Sequence, residues 1–315
     1  MTGISDLPFR QTATRLGALY VATEMVACAA FAETRPEVVR RAAIGSGATR
    51  MVVQLVGHDP HWLARGARLA RAAGARVIDL NFGCPAKSVT GVLCGSALMR
   101  EPDNARAVVA AVVDAVDVPV TVKMRLGWDD ADRNAPELAA VARDAGASAV
   151  TVHGRTRSQF YAGAADWLAV REVVEAVDIP VVVNGDIRDA ASARTALRQS
   201  GAAGVMIGRA ATGRPWLAAE VAADLAAEPF ASPDRERRLG IVLDHFGASL
   251  RFYGDTLGTR AFRKHLAAYI DAAPWPAEAA LRREARARLC RMDAPGAIAT
   301  ALIALWTAGE SRLAA

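Results

Sequence analysis

Through the first 215 residues, short runs rich in β-branched side chains alternate with longer alanine-rich stretches of helical period. The strand-like runs are residues 19–26, 50–56, 76–81, 119–125, 149–153, 180–184 and 204–208. Between them, 60–73, 103–116, 135–145, 167–177 and 190–200 carry apolar residues at helical spacing among good helix formers. Repeated strand-then-helix units predict a parallel sheet with helices outside it, and strands this uniformly apolar predict burial on both faces.

Polar and glycine residues cluster just past nearly every strand: Glu24, Gln54, Asn81, Lys123 with Arg125, His153-Gly-Arg155, Asn184-Gly-Asp186 and Gly208-Arg209. An open doubly wound sheet would use only the ends near its switch point, whereas a TIM barrel gathers all of them at one mouth. No Gly-x-Gly-x-x-Gly follows an early strand. The expectation is a TIM (β/α)8 barrel one strand short, because Met1-Thr-Gly-Ile-Ser-Asp-Leu-Pro-Phe-Arg10 reads as the loop after a first strand. Either the assigned start lies downstream of the real one or the first strand is trimmed; both stay open.

Past Pro215-Trp216 the alternation stops, and Glu228-Pro-Phe-Ala-Ser-Pro233 reads as a linker. Only helical patterns follow, at 234–253, 257–272, 277–291 and 294–308. This gives a barrel domain over 1–229 and an all-helical domain over 230–315. Charge divides unevenly: 1–229 carries 25 Lys+Arg against 24 Asp+Glu, and 230–315 carries 13 against 9. Arg260, Arg263, Lys264 and His265 form one basic cluster and Arg282, Arg283, Arg286 and Arg288 another, which suits a polyanion such as nucleic acid.

The 52% hydrophobic and 23% charged content is that of a globular protein. No apolar run reaches the roughly 18 residues of a membrane span, and no secretory signal opens the chain. Four cysteines far apart, without a Cys-x-x-Cys pair, argue against a zinc knuckle or disulfide framework and for a reducing cytoplasm. The five histidines are scattered without metal-ligand spacing, so no metal is expected.

Asn81-Phe-Gly-Cys84-Pro85 follows the run Arg76-Val-Ile-Asp-Leu80 directly. Gly83 permits a bend and Pro85 fixes its own φ, so Cys84 is held at one place on rigid scaffold. On this pentapeptide alone, packing and proton chemistry are equally good readings. Asn184-Gly-Asp186 and Gly208-Arg209, at the last two strands, suit a phosphate site. Lys123, His153 and Gln54 at three other ends suit a planar polar heterocycle, and a reduced flavin would give the buried cation its negative partner. Cys94 reads as packing, Cys28 and Cys290 as structural, and His58, His61 and His245 as partnerless surface or core residues. Trp128 and Trp216 are candidates for the border of the substrate site.

Leu-Asn-Phe-Gly-Cys-Pro-Ala-Lys-Ser-Val-Thr-Gly, Val-Lys-Met-Arg-Leu-Gly-Trp, Thr-Val-His-Gly-Arg-Thr-Arg, Val-Val-Asn-Gly-Asp-Ile and Val-Met-Ile-Gly-Arg-Ala, in that order, resemble the tRNA-dihydrouridine synthases, near the bacterial DusB branch. The resemblance runs from Met1 to about Leu225 and on, less distinctly, to Arg263-Lys-His265. It implies an FMN-bound barrel and a helical tRNA-binding domain, in a monomer that uses NADPH to reduce a D-loop uridine. By position, Gln54, Lys123, Asn184, Gly185, Asp186, Gly208 and Arg209 match FMN contacts, and His153 lies beside the flavin. Met1 and Thr2 would complete that site. Cys84 matches the catalytic acid that protonates C5 as hydride reaches C6; an ordinary thiol is mostly protonated at neutral pH, which suits an acid. Asn81, Arg155 and Arg157 match residues near the uracil, and Arg260, Arg263 and Lys264 face the RNA. Two other readings remain at this point: a dihydroorotate- or enoate-type flavin reductase, and a non-catalytic RNA-binding protein on a barrel scaffold.

Overall fold

The structure, a computed structural model, describes residues 1–45, 51–273, 275 and 278–307. Of the expected element ends, Arg50, Ala277 and Ala308 lie outside them. The strands are β1 Val21–Ala22, β2 Val26–Ala27, β3 Met51–Val56, β4 Val77–Phe82, β5 Val120–Arg125, β6 Ala149–His153, β7 Val181–Asn184 and β8 Gly204–Met206. The helices are α1 Leu7–Arg15, α2 Cys28–Ala32, α3 Pro36–Ala42, α4 Pro60–Ala72, α5 Lys87–Thr90, α6 Pro102–Val113, α7 Ala135–Asp144, α8 Val170–Ala176, α9 Ala190–Ser200, α10 Leu217–Leu225, α11 Arg235–Tyr253, α12 Asp255–Ala272, α13 Ala279–Leu289 and α14 Pro295–Thr307.

Every strand pairing is parallel, in the order β1-β3-β4-β5-β6-β7-β8, with β2 also on β3. β1 and β2 are two pieces of one edge strand: Ala22 pairs with Val52 and Val26 with Leu55, so three residues oppose two. Such a bulge re-aims side chains locally. Here Thr23 Oγ1 accepts the Gln54 N–H at 3.0 Å in place of a ladder bond. The interiors of β3 and β4 are buried throughout, as the unbroken apolar runs required. The architecture is the expected TIM barrel with a helical C-terminal region.

The segment read as an opening loop contains α1. Asp6 caps it by accepting the Phe9 N–H at 3.0 Å, and Pro8 sits in the first turn, where its missing donor costs nothing. Contacts divide the described residues into two compact units, Met1 with Leu19–Gly208 and Thr2–Ala18 with the chain from Arg209 onward. The division therefore falls earlier than the compositional boundary at 229/230, with α1 and α10 in the second unit.

The second unit has its own core, centred on Trp216, Phe246, Phe262, Tyr269, Leu302 and Trp306. Two of the five scattered histidines converge there: candidate ligand atoms of Asp6, His245 and His265 lie within 4.8 Å of one another. His245, expected to lack a partner, has Nδ1 3.0 Å from the Tyr269 hydroxyl and its ring edge-on to His265. Burial, then the nearby Lys264 charge, pushes His265 down to about 4, and burial holds His245 well below its ordinary value. Both are neutral imidazoles in an aromatic core.

Candidate active site

Cys84 is seated by main-chain bonds on every side. Asn81 Oδ1 accepts the N–H groups of Gly83 and Cys84 at 3.1 and 2.9 Å, an Asx turn that ends β4. The Cys84 carbonyl accepts from Ser96 N–H at 3.1 Å and Ser96 Oγ at 2.9 Å, on the 3₁₀ segment Gly95–Arg100. Arg125 Nε donates to the Gly83 carbonyl at 2.7 Å. Gly95 has φ +62°, and a Cβ there would stand 2.9 Å from the Cys84 carbonyl oxygen and 3.0 Å from its Cβ. Only glycine permits that approach. The thiol remains partly exposed, while Cys28 and Cys94 are buried. Cys94 Sγ lies 3.6 Å from His58 Nδ1, so His58 is not partnerless either.

Beneath Cys84 lies a buried polar ladder set by strand register, in which Gln54 faces Asp79, Asp79 faces Thr121 and Asn81 faces Lys123. Asp79 accepts from Gln54 Nε2 and Thr121 Oγ1, both at 2.7 Å, and Gln54 Oε1 accepts from Asn81 Nδ2 at 2.8 Å. Gln54, expected to face a ligand, is thus held at both ends of its amide. Burial raises the Asp79 carboxyl despite the bonds from Gln54 and Thr121 and the charge of Lys123. Burial, with Arg125 close by, pulls the Lys123 ammonium down to about 8 against the pull of Asp79 and Cys84. Among the described residues Lys123 has no ion pair.

At the next strand ends, His153 Nδ1 donates to Asn184 Oδ1 at 2.8 Å, with Asn184 Nδ2 fixed on the Met206 carbonyl at 2.8 Å. Burial, then Lys123, pushes His153 down to about 3, so it presents a neutral ring. Positive charge at the mouth comes from Lys123, Arg125 and Arg155. Arg155, expected at the substrate, is instead 1% exposed and engaged internally. Its Nη2 donates to Asp186 Oδ2 at 2.6 Å and to the Gly163 carbonyl at 2.7 Å, and its Nε to the Ala162 carbonyl at 2.9 Å. Asp186 also accepts the Ala165 N–H at 2.9 Å and follows Gly185 in a left-handed turn, φ +112° then +53°.

Of the remaining expected contacts, Met1 lies near Gly208, where an added Cβ would meet nothing closer than Met1 Sδ at 3.9 Å. Thr2 and Arg209 belong to the second unit. There Arg260 and Lys264 are exposed, and Arg263 pairs with Asp293 at 2.6 Å. Arg263, Lys264, Arg286 and Arg291 line one shallow groove between α12 and α13. From the sequence, Arg125 is named only as a polar strand end beside Lys123, with no role, and Asp79 is not named. Each stands two residues from a chosen one (Asn81, Lys123) on the same face of its strand, and that alternation was the available signal.

The sequence matches the dihydrouridine synthase (Dus) family over residues 1–299. A probable tRNA-dihydrouridine synthase of Rhodobacter capsulatus is 51% identical over 286 residues, 90% of this chain and 88% of that protein. The tRNA-dihydrouridine synthase B of Pseudomonas putida is 42% identical over 276 residues, 87% and 82% of the two. Among solved structures, histamine dehydrogenase from Rhizobium sp. 4-9 shares the fold at a TM-score of 0.55 and 13% identity, over 78% of this chain and 47% of that one. On the family match and these identities, the chain belongs to the dihydrouridine synthase family.

Proposed function

We propose that this chain is a tRNA-dihydrouridine synthase, an FMN-dependent oxidoreductase that draws on NADPH to reduce the C5–C6 bond of a D-loop uridine. The observation that carries the reading is the seated, partly exposed Cys84 beside the buried cations Lys123 and Arg125, in a chain of this family. FMN fits the residues present. Lys123 is a buried cation with no ion pair among the described residues, Asn184 and His153 are fixed by hydrogen bonds, and the space over Gly208 is open to a phosphate. Gln54 retains one amide N–H for a ring edge, and Met1, Gly185 and Asp186 complete the candidate set within the first unit. When bound, FMN supplies hydride-transfer chemistry at the pyrimidine C6.

The protein's own part is proton transfer and charge placement. Cys84 gives its S–H proton to C5, and the resulting thiolate is reprotonated from solvent, which the partial exposure allows. Asn81 holds the thiol's turn, and Arg125 locks that turn to the loop after β6 through the Thr156 and Phe160 carbonyls, both at 2.9 Å. Lys123 and Arg125 lower the cost of negative charge developing in this poorly solvated pocket. Arg157 and the α12 basic residues Arg260, Arg263 and Lys264 are proposed to hold the RNA. The uridine must leave its stack to reach Cys84, at a cost of a few kcal/mol that phosphate contacts offset.

The test is Cys84→Ala with unmodified tRNA, reading dihydrouridine by mass spectrometry and flavin by absorbance. Flavin is retained, and product formation drops by about 10²–10⁴-fold, the ordinary contribution of a general acid. Product formed at the wild-type rate would remove Cys84 from the mechanism.

A further inference from the structure

The loops after β4, β5 and β6 bring Arg100, Trp128 and Arg157 together. The guanidinium carbon of Arg157 lies 4.5 Å from the Trp128 ring centroid, and that of Arg100 lies 4.9 Å from it. The shelf is built rather than incidental. Trp128 N–H donates to the Asp132 carbonyl, and Arg157 N–H to the Gly127 carbonyl, both at 2.9 Å. The Trp128 carbonyl accepts from Ser158 N–H at 2.9 Å and Ser158 Oγ at 3.1 Å.

What the shelf lacks is an anion. Among the described residues no carboxylate pairs with either guanidinium, and Arg157 Nε is buried with no acceptor. Two acids of the Trp128 loop are engaged elsewhere: Asp129 accepts from Ala131 and Asp132 N–H at 3.0 and 3.1 Å, and Asp130 pairs with Arg133 at 2.8 Å. Two cations against one indole repel each other, and an oxyanion between them reverses that term. Guanidinium forks match a phosphate's oxygens, and the aromatic shelf keeps the forks ordered before it arrives. Arg100 closes the 3₁₀ segment whose Ser96 holds the Cys84 carbonyl. Arg125 ties Thr156, next to Arg157, to the Gly83 carbonyl, so Arg100 and Arg157 both stand on loops fastened to the thiol's turn.

We infer that Arg100 and Arg157, laid against Trp128, clamp the backbone phosphate of a nucleotide adjoining the uridine that Cys84 serves. This rests on the tRNA reading above. A phosphate is favoured over a stacked base because the indole is already covered by guanidinium.

The test is the affinity for unmodified tRNA across a series of KCl concentrations, with dihydrouridine formation measured on the same preparations. Losing one single-strand phosphate contact lowers the slope of log K against log salt by about 0.7. That loss is expected for the double variant R100A/R157A, and equally for R100Q/R157Q, which keeps the stems should alanine loosen the loops. The charge-conserving R100K/R157K keeps the slope, as does Arg68→Ala on the outer face of α4. A full wild-type slope in both neutralised variants overturns the clamp alone. A wild-type protein that forms no dihydrouridine in tRNA overturns the functional reading, and the clamp with it.

Discussion

Replacing Arg155 by methionine removes one guanidinium and strands several groups at once. The Arg155–Asp186 pair is buried, with side chains 2% and 12% exposed, and Arg155 also satisfies the Ala162 and Gly163 carbonyls. Removing one partner of a buried pair costs about 3–5 kcal/mol, because the other charge stays buried without compensation. In a unit of this size that is a fall in Tm of roughly 6–20 °C, at about 2–4 °C per kcal/mol. The assay is urea and thermal unfolding of R155M, D186N and R155M/D186N. D186N loses less, because its amide still accepts from Arg155 and Ala165. The double variant is more stable than R155M, giving a coupling of about 1–3 kcal/mol within the range for contacting residues. Acid provides an independent check. Burial raises the Asp186 carboxyl, but the Arg155 and Ala165 bonds and the Arg155 and Arg188 charges more than offset it, so the folded value is lowered. A lowered acid stabilises the fold above its unfolded pKa, near 3.9, and loses that contribution as pH falls through the folded value. Wild type should show this acid limb and R155M should not. An R155M loss under about 1 kcal/mol, or strictly additive variants, would refute the account.

Three other outcomes are expected. Gly95→Ala puts a Cβ against Cys84 at a left-handed φ, costing about 1–2 kcal/mol, and turnover falls further than binding; unchanged turnover would mean the Cys84 seat tolerates displacement. Burial pulls the Lys123 ammonium down to about 8 in the flavin-free chain. The unfolded chain binds the extra proton between about 8 and 10.5, so stability rises across that window, and K123M loses the rise in urea midpoints. His265, pushed down to about 4 from 6.5, binds its proton first in the unfolded state, so stability falls as pH drops through that interval. The difference in Tm slope between wild type and H265F measures it, and equal slopes would contradict a neutral buried ring.

What was legible in the sequence was what period and turn chemistry record. Seven apolar runs became the barrel strands, and Gly-Cys-Pro after one of them located the thiol. The capping pair Asp6 and Pro8 is also legible, yet the polar opening hides the buried Leu7, Phe9 and Ala13 that make this segment a helix. Arg155 shows the limit. Its acceptors are two carbonyls in the following loop and a carboxylate 31 residues away, and main-chain acceptors leave no trace in residue identity. His245 and His265 stand 20 positions apart on two helices, so only the packing of α11 on α12 unites them.

The pinning of Cys84 settles which partner must give way during the proposed reaction. A main chain anchored on both sides of Cys84, with no room for a Cβ on Gly95 behind it, leaves the sulfur only rotation about its own Cα–Cβ bond, a short arc against a misplaced base. Most of the adjustment then falls to the nucleic acid. Selectivity among tRNAs becomes a matter of how cheaply each loop can distort to bring its pyrimidine to that arc.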